Sequence, residues 1–270
     1  MAAVVHRGAE LHYDDIDRRV PWATPADPVV FHHGVGACAA LWSGWDAALA
    51  DRYRLVRHDV RGHGRSPVPE DYPWTLDALV EDLAAVVDHA GIERFHLVGE
   101  SIGGTIALAF AARHPGRVST LTVSNGAHRG APIRNLAGWG DLIGAGGTEA
   151  WSAHMMPLRF HDDALDAARR DWFRAQQDTA DAGAVLALAA VLRATDLTAE
   201  LAASSMPVLL VHPDGSPFIP VSLMAELLDL LPDARLEVVA GARHGLPFSH
   251  AGRVSALVRS FLDGTGPARR

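Results

Sequence analysis

The chain has 270 residues, 49% of them hydrophobic, enough to bury one large α/β domain with a modest insertion, which excludes a disordered chain. Its formal net charge of −8 and a pI near 6.0 argue against non-specific attachment to nucleic acid or to an anionic membrane, both of which need clustered positive charge. A single cysteine, Cys38, excludes an internal disulfide framework and points to a reducing cytoplasm; no Cys/His spacing suggests zinc, and no run approaches the roughly 18 apolar residues of a membrane span.

His6, Arg7 and Glu10 interrupt the first ten residues, so no secretory signal is read there. Residues 4–20 alternate polar and apolar positions around Gly8, which predicts an antiparallel pair of strands. From Pro28 the pattern changes to short apolar runs at 29–31, 53–56 and 95–98. These are separated by helical spacing such as Leu76, Leu79, Val80, Leu83, Val86 and Val87, and strand alternating with helix implies a parallel sheet.

A small-residue helix over 106–110 and a strand over 121–123 continue the alternation. It then breaks between residues 128 and 205. That interval has no β-run, has Ala-rich helical stretches at 163–177 and 181–194, and contains Trp139, Trp151, Trp172, Met155 and Met156; it reads as a helical cap. After Pro207 come a strand at 208–211, a helix at 221–231, a strand at 235–239 and a helix at 251–262, with a frayed tail from Gly264.

The chemistry concentrates where strands end. Gly99-Glu100-Ser101-Ile102-Gly103 has the G-x-S-x-G pattern between an apolar strand and a helix, the context in which a tight turn lifts a nucleophilic Ser101 clear of the sheet. His32-His33-Gly34-Val35-Gly36 follows the first central strand, so the amides of Val35 and Ile102 are expected to form the oxyanion hole. Cys38, close by, reads as a packing residue.

His244 follows the last strand, where a Ser…acid…His order places the general base; His250 is the fallback among the 15 histidines. The acid belongs in the turn after strand 208–211, where Asp214 is the one carboxylate and is expected to orient His244, an Asx-turn cap being its alternative role.

Together these residues resemble the α/β-hydrolase superfamily, and within it the small cytoplasmic hydrolases similar to 3-oxoadipate enol-lactonase. The resemblance rests on His32 to Gly36 with Trp42, on Leu55-Val56-Arg57-His58-Asp59-Val60-Arg61-Gly62-His63-Gly64-Arg65-Ser66, on the elbow from Gly99 to Gly104, on Leu192-Arg193-Ala194-Thr195-Asp196-Leu197, and on His244. One place departs from it. The family's aspartate stands immediately before the segment matching Pro217-Phe218-Ile219-Pro220, and here that residue is Ser216. Either the turn brings Asp214 to His244, or Ser216 or a water fills the third place.

The resulting expectation is an eight-stranded, mostly parallel sheet flanked by helices, with a core of residues 1–127 and 206–270 and a cap of 128–205. The resemblance implies hydrolysis of an ester or lactone, in particular a small carboxylated enol-lactone from aromatic catabolism, with Arg129, Arg134 or Arg159 meeting the carboxylate. It implies a small-molecule partner and neither metal nor organic cofactor. Hydrolysis of a carbon–carbon bond in a diketone, a cofactor-free oxygenase or lyase using His244 as base, and a non-catalytic binding protein stay open as alternatives.

Overall fold

The opening hairpin is set by its turn. Arg7 and Gly8 both have positive φ, 51° and 82°, the type I′ geometry whose twist matches that of the strands it joins. They connect β1 (Ala2–His6) to β2 (Ala9–Ile16), which pair antiparallel. This is a computed structural model describing residues 1–24 and 26–264; beyond Gly264, the tail expected to fray lies outside the described residues.

The sheet has eight strands in the order β1-β2-β4-β3-β5-β6-β7-β8. The strands β3 (Val29–His32), β4 (Leu55–His58), β5 (Phe95–Glu100), β6 (Val118–Ser124), β7 (Val208–Pro213) and β8 (Ala234–Val239) run parallel, and β2 joins β4 antiparallel. Every residue of β3, β4, β5 and β7 is buried. That explains their nearly continuous apolar runs, since a parallel sheet is covered on both faces.

Alternate side chains feed two cores. Val30 and Val56 point to one, with α2 (Leu76–His89), α3 (Ile102–Arg113) and α8 (Val221–Leu230); Val29, Phe31 and Leu55 point to the other. The second face is covered by a 3-10 stretch at Ala39–Trp45, by α1 (Asp46–Leu49) and by α10 (Ala251–Gly264), with α9 (Leu246–Ser249) beside them. On α2 the residues of the helical spacing Leu79, Val80, Leu83, Val86 and Val87 are buried and Leu76 is half-buried against the core, and Thr75 caps the helix by accepting from the Ala78 amide.

Between β6 and β7 lie α4 (Trp139–Arg159), α5 (Ala167–Asp178), α6 (Ala182–Ala194) and α7 (Thr198–Leu201). Two backbone bonds staple the ends of this segment together: Gly130 N donates to Thr195 O at 2.8 Å, and Leu197 N to His128 O at 2.9 Å. Helix α4 was not evident in the sequence pattern. It bends where Gly147 takes φ 69° and ψ −170°, a conformation open essentially to glycine alone.

Candidate active site

Ser101 follows β5 with φ 57° and ψ −126°, strained backbone of the kind that costs about 1–3 kcal/mol. The flanking glycines are a steric requirement. A Cβ at Gly99 would stand 2.3 Å from Gly103 O, and one at Gly103 would stand 2.3 Å from His32 O. The turn thus holds α3 tight against the sheet and aims the Ser101 hydroxyl at the carboxyl ends of the strands, where parallel sheets place their ligands.

His244 lies in the loop after β8 with Nε2 3.0 Å from Ser101 Oγ. Three elements fix the loop that carries it. Asp214 Oδ1 accepts from the amides of Gly241 at 2.9 Å and Ala242 at 3.3 Å. Gly245 N donates to Arg159 O at 2.9 Å, and the side-chain nitrogen of Asn125 donates to His244 O at 3.0 Å. The Phe218 ring packs edge-on against the imidazole, with centroids 4.6 Å apart.

The structure therefore brings Ser101 and His244 together and does not bring Asp214 to the imidazole. Asp214 is exposed and spends its oxygen on the turn. Ser216 turns to the Ile219 amide at 3.3 Å. The group at Nδ1 of His244 is the carboxamide of Asn125, buried immediately after β6. His250 bonds Ser249 Oγ instead. Asn125 carries no charge and matches no motif; its one signal in the sequence is its place at the carboxyl end of a parallel strand.

The loop after β3 is splinted by buried histidines. His33 Nε2 accepts from Val60 N and His63 Nε2 from Gly36 N, both at 2.9 Å. Their Nδ1 atoms face the carbonyls of Gly34 and Arg61 at 2.8 and 3.0 Å. A ring that donates at one nitrogen and accepts at the other is neutral, and burial holds both well or clearly below the usual histidine range. Asp59 extends the splint by accepting from Ala39 N at 2.7 Å and Arg65 N at 3.1 Å. This accounts for the residues 59–66 that stood out in the sequence.

With the Gly36 amide engaged, Val35 is the loop residue that lines the pocket with Ser101. The Ile102 amide opens α3, where the first N–H groups have no partner within the helix. The pocket is walled by Trp139, Met155, Leu192 and Phe218. Its cation is Arg159. Burial pulls that guanidinium down to about 10, against the opposing pull of Glu100; it donates to Val35 O and sits 5.6 Å from the centre of the Phe173 ring.

Glu100 is buried beside the nucleophile, its Oε1 3.8 Å from His244 Nε2. Burial pushes its carboxyl up to about 7, with Arg159 and the Gly34 amide pulling the other way. Arg129 pairs with Glu226 and Arg134 is exposed, so of the three arginines proposed from sequence Arg159 alone reaches the pocket. Burial raises the Cys38 thiol to about 11, unfavourable for a nucleophile. Among the described residues no His, Cys, Asp or Glu cluster could hold a metal ion, and no helix is long and apolar enough to cross a membrane.

Residues 27–251 match the family model described as alpha/beta hydrolase fold. The chain is 29% identical over 274 residues to a non-heme haloperoxidase of Rhodococcus erythropolis, covering 95% of this chain and 97% of that protein. It is 30% identical over 246 residues to the 2-hydroxymuconate semialdehyde hydrolase of Pseudomonas sp. (strain CF600), covering 87% and 86% respectively. The crystal structure of the enol-lactonase from Burkholderia xenovorans LB400 is similar with a TM-score of 0.88 and 25% identity, over 97% of this chain and 100% of that one. An elbow serine in contact with a histidine on loops at the carboxyl ends of the strands of an eight-stranded sheet, together with these matches, leads to one conclusion: this chain belongs to the alpha/beta-hydrolase fold family.

Proposed function

We propose that the protein is a serine hydrolase that cleaves an ester or lactone of a small carboxylated molecule through an acyl-enzyme. The observation that carries this reading is the 3.0 Å contact between Ser101 Oγ and His244 Nε2 inside a mostly apolar pocket. As Ser101 Oγ bonds to the substrate's carbonyl carbon, its proton passes to His244 Nε2 and the carbonyl electron pair moves onto oxygen, held by the amides of Val35 and Ile102. When the intermediate collapses, His244 returns the proton to the leaving oxygen. Water then repeats the sequence on the acyl-enzyme, regenerating Ser101 and releasing the acid.

Residues 128–205 act in this reading as a cap on a core of 1–127 and 206–270, and Asp214 works through the turn that holds His244. Arg159 supplies the charge that favours a substrate carboxylate, a buried guanidinium being a strong partner for one. A chain with one cysteine suits work in the cytoplasm. The likeness to a 2-hydroxymuconate semialdehyde hydrolase favours a second reading, in which the bond broken is carbon–carbon in a diketone. The two are separated by incubating the protein with matched esters, lactones and diketones, with and without a carboxylate, and measuring acid release. Turnover of carboxylated esters or lactones supports the first reading; turnover of diketones alone overturns it.

A further inference from the structure

The imidazole of His244 is faced by Glu100 from β5, Arg159 from α4 and His212 from β7, and none of these is bonded to its Nδ1. That position belongs to Asn125, which is fully buried. Its backbone is tied into the sheet by Asn125 N donating to Val211 O at 2.9 Å. Its φ of 53° lies in the left-handed region, which asparagine, aspartate and glycine enter at the lowest cost. The side-chain nitrogen faces both Nδ1 and the His244 carbonyl, while Oδ1 has no partner among the described residues.

Resting on the reading of Ser101 as nucleophile, we propose that Asn125 is the positioning residue of the base, occupying at Nδ1 of His244 the place a carboxylate would take. A carboxylate can only accept, so it fixes the proton on Nδ1 and leaves the Nε2 lone pair for the serine proton. A carboxamide can do either. With its nitrogen toward the ring it donates to Nδ1 and keeps the proton on Nε2, where His244 cannot act as a base. Turned by half a revolution about its last bond, it accepts from Nδ1–H through Oδ1 and frees Nε2. That turn gives up the bond to the His244 carbonyl, so the competent tautomer is the minor one at rest.

The neutral amide also adds no charge to stabilise the imidazolium. Restoring a carboxylate should therefore do two things: lock the proton on Nδ1 and raise the pH at which His244 titrates. Asn125→Asp and Asn125→Gly both tolerate the backbone conformation, so neither is expected to fail by misfolding.

The test is nitrogen-15 NMR of the histidine rings of the full chain from pH 4 to 9. The His244 signal is identified by its loss in His244→Asn, and p-nitrophenyl acetate hydrolysis is followed in parallel. At neutral pH the wild type should carry the His244 proton on Nε2. Asn125→Asp should move it to Nδ1, raise the His244 titration by one pH unit or more and speed hydrolysis by about tenfold or more, the reverse of the loss that follows aspartate removal in the serine-protease template. Asn125→Gly should average the two nitrogens. A ring unmoved by both Asn125 variants overturns the proposal. The NMR outcome stands even if the wild type hydrolyses nothing, a result that would count against Ser101 as nucleophile and not against Asn125.

Discussion

In the proposed function, the burial of Arg159 favours a carboxylated substrate in the pocket. A guanidinium this deeply enclosed loses hydration that a substrate carboxylate would replace, and its Nε has no partner among the described residues. Arg159→Met should raise KM for a carboxylated ester about tenfold or more while changing KM for the matching neutral ester little, as steady-state kinetics on the pair would show. Equal losses on both esters would mean that Arg159 serves only to hold the Val35 carbonyl. Ser101 and His244 were legible as candidates in the sequence because one follows the apolar run of β5 and the other follows the last strand, β8. Asn125 was not, because its role depends on bringing together two loops 119 residues apart and an amide offers no charge to draw attention. Asp214 drew attention by being the acid of its turn, yet its oxygen is used by the Gly241 and Ala242 amides of the loop after β8.

Helix α4 shows propensity yielding to packing. Gly140, Gly144, Gly146, Gly147 and Pro157 all lie within it, and each interior glycine costs about 1 kcal/mol relative to alanine, so the sequence reads as irregular. Trp151, Met155, Met156 and Arg159 are buried along it, and that burial outweighs the poor local preference. The α2 pattern, by contrast, was legible because spacing and propensity agree there. Two neighbouring glycines should respond in opposite directions. Gly144 is exposed with open space where a Cβ would go, so Gly144→Ala should stabilise by about 0.5–1 kcal/mol. Gly147→Ala meets no atoms either, but its backbone conformation should cost about 1–3 kcal/mol. Thermal unfolding of the two variants checks the pair; a rise in Tm for both would mean that the backbone conformation at Gly147 does not decide.

For the whole molecule, the buried histidines set the response to acid. Burial pulls His32, His96 and His212 down to about 4, and His33, His58 and His244 well below the usual range. Each is neutral in the fold and gains a proton on unfolding near pH 6.5, so its contribution is present above 6.5 and is lost as pH falls toward 4. Glu100, raised to about 7, acts oppositely: its contribution is present below about 4.5 and lost as pH rises through 7. One carboxyl is outnumbered by these histidines, and one pKa unit is about 1.4 kcal/mol. Tm should therefore drop steeply from pH 6.5 to 4.5 and change little between 7 and 8; a Tm that rises on acidification would contradict this. The parallel alternation of strand and helix was legible in the sequence, whereas the strand order was not, since apolar runs that are buried on both faces do not identify their neighbours. The central claim, that the elbow serine is a nucleophile served by His244, is tested most directly by fluorophosphonate labelling followed by mass spectrometry. The predicted result is a single modified residue, Ser101, with labelling abolished in Ser101→Ala and strongly reduced in His244→Ala. An unlabelled wild type, or labelling that survives both substitutions, would contradict it.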